Sequence, residues 1–118
     1  MFCNFAQAAL PAFEAITVLE TVPAGTALLQ EEARVDGAWV ICRGTVVVVS
    51  ERHRTGAPSC QIARRGDVVG LTEAVGRTPS RSRAVTLTDC ELRYVPAALL
   101  RRFLARSIDA CLWTMHFV

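Results

Sequence analysis

The chain has 118 residues, a formal charge of +2 from 13 basic against 11 acidic side chains, and 52% hydrophobic residues. This length supports one hydrophobic core and excludes a second full domain, so residues 1–118 are read as a single domain. The near-balanced charge gives no electrostatic drive towards nucleic acid or an acidic membrane, and direct nucleic-acid binding by this chain is not expected.

All the basic residues are arginine, which reflects source base composition more simply than a phosphate-recognition surface. Apolar runs such as residues 46–49 fall far short of the roughly 18 residues that a membrane helix needs. Lys and Arg are absent before Arg34, so the charged start of a signal peptide is missing and a cytoplasmic location is expected. The five cysteines, Cys3, Cys42, Cys60, Cys90 and Cys111, form no CxxC pair, and they read as small half-buried hydrophobes rather than a disulfide frame or metal site.

In chain order, residues 4–15 predict a short helix broken by Pro11, and residues 16–22 (ITVLETV) a β-branched strand. Pro23, Ala24 and Gly25 turn the chain into a strand over 26–30. A polar loop follows and ends in Asp36-Gly37, the strongest short turn signal in the sequence. Residues 38–42 and 45–52 predict two strands joined at Arg43-Gly44, with residues 60–64 as the companion of the second. The loop between these last two carries Gly56 and Pro58.

Arg65-Gly66-Asp67 makes the next turn, Val68-Val69 a short strand, and residues 70–76 (GLTEAVG) one helical turn with glycine at both ends. A basic loop leads into strands over 83–87 and 90–95, with a corner at Thr88-Asp89. After Pro96, which suits a first helical position, the period changes: Leu99, Leu100, Phe103 and Leu104 share one helical face and Arg101, Arg102 and Arg106 the other. Ser107 is placed to cap a further helix carrying Ile108, Cys111, Leu112 and Met115. About eight short strands with turns every eight to twelve residues, flanked by helices, point to a mainly β sandwich or jelly roll.

Catalytic chemistry finds little support in this pattern. The two histidines, His53 and His116, have no acid at motif spacing, and two are too few for a metal-holding jelly-roll enzyme. Asp36, Asp67 and Asp89 fall at turns, where such side chains accept backbone hydrogen bonds. Trp39 is expected in the core, and Trp113 on or near the terminal helix interface. Neither an enzymatic activity, a metal nor a resident cofactor is expected.

Five segments in order carry a resemblance. They are GTALLQE from Gly25, DGAWVI from Asp36, GTVVV from Gly44, GDVVG from Gly66 and DCELRYVP from Asp89, the last followed by a Leu/Phe-rich helix. From residue 22 to about 104 the chain resembles the cyclic nucleotide-binding domain of the CRP/FNR regulators. The resemblance implies a double-stranded β-helix jelly roll over about residues 16–95, with a short N-terminal helix and C-terminal helices. It also implies that residues 97–118 begin a dimerisation helix, which would make the chain a homodimer. The apolar ending from Leu112 to Val118 agrees with a stripe that needs covering.

In such domains the ligand is held by a cassette like Gly-Glu-x-Ala, followed about ten residues later by Arg-Ser/Thr-Ala. Helix-start amides and a guanidinium neutralise the cyclic phosphate, while the Glu accepts from the ribose. Here the cassette is Gly70, Leu71, Thr72, Glu73 and Ala74, then Pro79, Ser80, Arg81, Ser82, Arg83 and Ala84. Leu71 stands at the ribose acid and Ser80 at the phosphate arginine, so both positions that carry the chemistry differ from the family.

Arg81 comes one residue late and Arg83 three, and a bulge or altered loop length is needed to bring Arg81 to an anion. Glu73 follows the usual acid by two residues. Glu32 replaces a glycine at a turn. The ligand-binding set implied is Val69, Gly70, Leu71, Thr72, Glu73, Ser80, Arg81, Ser82 and Arg83. Two readings stay open: a sensory domain that binds a small anionic effector such as a cyclic nucleotide, or a roll that has lost the ligand and serves protein interaction or dimerisation.

Overall fold

A computed structural model describes residues 14–50 and 59–106. Eight strands lie in the order β1 (Val18–Val22), β2 (Ala27–Leu29), β3 (Gly37–Arg43), β4 (Val46–Ser50), β5 (Ser59–Ala63), β6 (Val68–Val69), β7 (Ser82–Thr86) and β8 (Cys90–Pro96). Helix α1 (Leu71–Gly76) sits between β6 and β7, and α2 (Ala97–Arg106) follows β8. The strands form two antiparallel sheets of four, in the orders β1-β8-β3-β6 and β2-β7-β4-β5. This is the β-roll that the turn spacing and the resemblance implied. Residues Glu14 and Ala15 are helical, whereas the rest of the expected first helix and the helix after Ser107 lie outside the described residues.

The alternation of β3 builds the core on two sides. Ile41 packs inside the roll with Leu29, Val46, Val69, Ala84, Cys90 and Leu92. Ala38 and Val40, pointing the other way, meet Leu71 and Ala74 of α1 and Leu100 and Leu104 of α2. A strand buried on both faces reads as the near-continuous apolar run GAWVIC, and it ties the helices to the roll. Trp39 is half-buried and tilts against Tyr94 with ring centroids 5.3 Å apart.

One turn assignment and one helix start change. Asp36-Gly37 is not a hairpin turn: Gly37 opens β3, opposite Pro96, and a Cβ there would overlap the Val95 carbonyl oxygen. That glycine is demanded by close approach of β8, and the chain reverses earlier, around Glu31 and Glu32. Glu32 has φ 62°, so the position where the family favours glycine does hold left-handed backbone. Pro96 ends β8 instead of opening the helix; the N–H of Ala97 donates to the Asp36 carbonyl at 2.8 Å and starts α2. Asp67 and Asp89 accept from the Arg64 and Ala24 amides at 2.8 and 3.0 Å, as turn aspartates should.

Candidate functional site: the cleft beneath the short helix

Val69 is buried in the roll interior, and the next residue turns the chain out of the sheet. Gly70 adopts φ 85°, a left-handed conformation that L side chains rarely take, and a Cβ there would stand 3.1 Å from the Gly37 carbonyl. This bend starts α1, whose residues Leu71 and Ala74 face the core. At its far end Arg77, also left-handed at φ 55°, donates its N–H to the Glu73 carbonyl and stops the helix.

The bend leaves a cleft of about 340 Å³ between α1 and the second sheet. Leu29, Val48 and Val69 give it an apolar floor; Gln61, Thr72 and Ser82 supply neutral polar groups. Two carboxylates, those of Asp67 and Glu73, also line it, and no arginine or histidine does so among the described residues. The Oε2 atom of Glu73 is buried and has no hydrogen-bond partner. Burial pushes the Glu73 carboxyl above the usual carboxylate range, opposed in part by its own backbone N–H.

Six of the nine expected ligand residues gather here: Val69, Gly70, Leu71, Thr72, Glu73 and Ser82. Leu71, at the ribose-acid position, is 6% exposed and contributes to the core. Ser80, at the phosphate-arginine position, is 1% exposed and bound on three sides. Its N–H donates to the Ala33 carbonyl at 3.1 Å, its carbonyl accepts from the Glu32 N–H at 2.6 Å, and its hydroxyl donates to the Ser82 carbonyl at 2.8 Å. Ser80 is thus a tie between two loops.

Arg81 is exposed and lines a second cleft, of about 490 Å³, with Glu31, Glu32, Thr78, Pro79 and Ser80. The two clefts share no lining residue. Arg83 is exposed in β7, in register with Val49, and lies outside the first cleft's lining. Among the described residues, no group of three or more His, Cys, Asp or Glu side chains is placed to hold a metal ion. No helix among them is long and apolar enough to cross a membrane.

Sequence reasoning missed Gln61 and Asp67 as cleft residues, because they come from β5 and the β5–β6 turn, distant in sequence from the cassette. It also missed Arg101, whose Nη1 donates to the Ala74 carbonyl at 2.8 Å and latches α2 to α1. The only signal for that bond is an arginine on the polar face of an amphipathic helix, which any solvated helix shows.

The fold has close counterparts among solved structures. The catabolite activator protein of Thermus thermophilus superimposes with a TM-score of 0.77 at 14% identity, over 93% of this chain and 52% of that one. The c-di-GMP-responsive global regulator CLP of Xanthomonas campestris gives 0.72 at 15% identity, over 92% and 55%. The N-terminal domain of a transcriptional regulator from Streptomyces coelicolor gives 0.74 at 16%, over 97% and 81%. The chain spans about half the length of the Thermus and Xanthomonas proteins. No curated protein matches it. The model of the cyclic nucleotide-binding domain matches residues 19–107, three quarters of the sequence, from within β1 to the end of α2, and the chain therefore belongs to the cyclic nucleotide-binding domain family.

Proposed function

We propose that this chain is the sensory domain of a CRP/FNR-type regulator, and that it captures a small effector in the cleft beneath α1. The observation that carries the reading is the arrangement of that cleft. An apolar floor of Leu29, Val48 and Val69 meets a polar lip of Thr72, Glu73 and Ser82, at the bend fixed by Gly70. Concave apolar sites with a few convergent polar groups suit small ligands.

A sensor must also transmit. Helix α1 forms one wall of the cleft, and Arg101 bonds α1 to α2, which continues towards the C-terminal segment expected to dimerise. A ligand that binds one α1–α2 packing better than another shifts the population towards it. Binding and signalling, without bond chemistry, are the role that follows.

Thermal melting of the purified chain against adenosine, cyclic AMP, cyclic GMP and cyclic di-GMP, titrated to millimolar, tests the proposal. A ligand that binds only the folded state raises Tm with RT ln(1 + [L]/Kd). A saturable rise with any of these probes supports the sensor. The absence of any rise favours a roll retained for protein interaction.

A further inference from the structure

We propose that the aromatic corner formed by Trp39 and Tyr94 is a binding site for a small quaternary ammonium ion, with Glu20 as its counter-charge. The site is separate from the cleft beneath α1 and does not depend on the role given to that cleft.

Strand register builds the corner. Trp39 stands opposite Tyr94 across β3 and β8, two residues along from the pair Ile41 and Leu92, which lie inside the roll. Side chains two apart on a strand share a face, so both rings look to the same side as that core. Glu20 of β1, opposite Leu92, shares the face too. The rings end the core and, with Leu28, Leu29 and Val35, line a cleft of about 460 Å³. Both keep part of their surface exposed. Of these residues only Leu29 also lines the cleft beneath α1.

The rings and the charges favour the same ligand. The centroids are 5.3 Å apart with the planes at 49°, so the rings make a corner rather than a stack. Aromatic faces attract cations, indole most strongly, and more so where water is partly excluded. The charged groups that line the cleft are Glu20, Arg34 and Asp36. Arg34, its side chain 92% exposed, pairs with Asp36 at 3.3 Å, which leaves the carboxylate of Glu20 as the unbalanced charge beside the rings.

The field of the carboxylates reaches Tyr94. Its hydroxyl is held above the usual tyrosine range, by burial first and then by the negative charges of Asp36 and Glu20. A potential that opposes a phenolate favours a cation at the same place. An ammonium without N–H groups has no hydrogen bonds to lose on leaving water, so ring faces and the apolar wall of Leu28, Leu29 and Val35 can replace its hydration.

Choline and its neutral isostere, 3,3-dimethylbutan-1-ol, separate charge from shape. Each is titrated into the purified chain to tens of millimolar at constant ionic strength, and binding is followed by NMR at the indole signal of Trp39, identified by its loss in Trp39→Phe. Choline is expected to shift this signal saturably, and the alcohol to bind at least about tenfold more weakly. Glu20→Gln should shrink that ratio to under about threefold, and circular dichroism checks its fold. Arg34→Gln, at an exposed side chain, removes the cleft's own cation and should tighten choline about two- to threefold. Absence of a saturable shift at Trp39, equal affinity for the two probes, or a ratio unchanged in both variants overturns the assignment. The effector proposal concerns another cleft and stands or falls on its own titrations.

Discussion

The hydroxyl of Ser80 closes a small ring with the backbone of Ser82, accepting from its N–H at 3.1 Å and donating to its carbonyl at 2.8 Å. Ser82 begins β7 and lines the cleft, so Ser80 fixes how the cassette loop enters the strand. Restoring the family's arginine by Ser80→Arg is therefore expected to fail as a gain of function. A guanidinium does not fit at a position 1% exposed, and the substitution should destabilise the fold by about 2–4 kcal/mol with no new affinity for cyclic AMP. Ser80→Ala removes only the ring and should cost about 1 kcal/mol. Urea midpoints at unchanged m-value check both.

Thr86 performs the same service at the other end of β7. It is 1% exposed; its hydroxyl accepts from the Thr26 N–H at 2.9 Å and donates to the Pro23 carbonyl at 2.8 Å. Thr86→Val keeps the shape and leaves both backbone groups without this partner. A loss of about 1–3 kcal/mol is expected, read as a lower urea midpoint. Ligand affinity should stay unchanged, because Thr86 does not line the cleft.

These two residues also show where the sequence was legible. The strands were readable because β-branched runs such as VVVVS alternate with turn residues, and this pattern survives without any tertiary information. Ser80 and Thr86 were not readable as ties, since a serine or threonine next to a strand looks the same whether buried or solvated. Asp36-Gly37 misled for a related reason: glycine signals either a turn or a close approach, and only the neighbouring β8 backbone decides. Arg81 depended on a shift of one residue. Ser82, Ala84 and Thr86 alternate inward along β7, so their odd-numbered neighbours, Arg81 and Arg83, end outside the cleft.

That alternation gives a direct test. Arg81→Ala should change the affinity of any effector held beneath α1 by less than about twofold, since its side chain lines a cleft that shares no residue with the first. Titration of wild type and variant with the same nucleoside probe decides it, and a tenfold loss would return Arg81 to the ligand set.

Glu73 should leave a signature in the pH dependence of stability. Its folded pKa lies above the ordinary value of 4.5, chiefly because burial disfavours the carboxylate. The folded state therefore holds this proton more tightly than the unfolded state does. As pH rises from about 4.5 through the raised pKa, Glu73 loses its proton sooner on unfolding and the fold loses stability; above that window its effect is constant. Glu73→Gln cannot titrate. The difference in Tm between variant and wild type should accordingly be larger at pH 7.5 than at pH 4.5, favouring the variant, when both are melted without ligand across that range.

The bond from Arg101 to the Ala74 carbonyl is a polar link between the helix that walls the cleft and α2, beside the apolar contact of the two helices. Ala74 lies in α1, where carbonyls near a helix end lack helical partners, and a cation at that end is favoured. Arg101→Met keeps an unbranched apolar side chain and removes the guanidinium. Stability should fall by about 1–2 kcal/mol, near the low end of about 1.5–3 kcal/mol for a hydrogen bond to a charged group, because the bond is only part-buried. Signalling should suffer more than binding. In the wild type, an effector in the cleft is expected to slow amide exchange in both α1 and the stretch of α2 from Leu100 to Leu104. In Arg101→Met the protection of α1 should persist at nearly the same affinity while that of α2 disappears. Equal protection of both helices in the variant would show that the apolar contact between Leu71, Ala74 and Leu100 carries the coupling by itself.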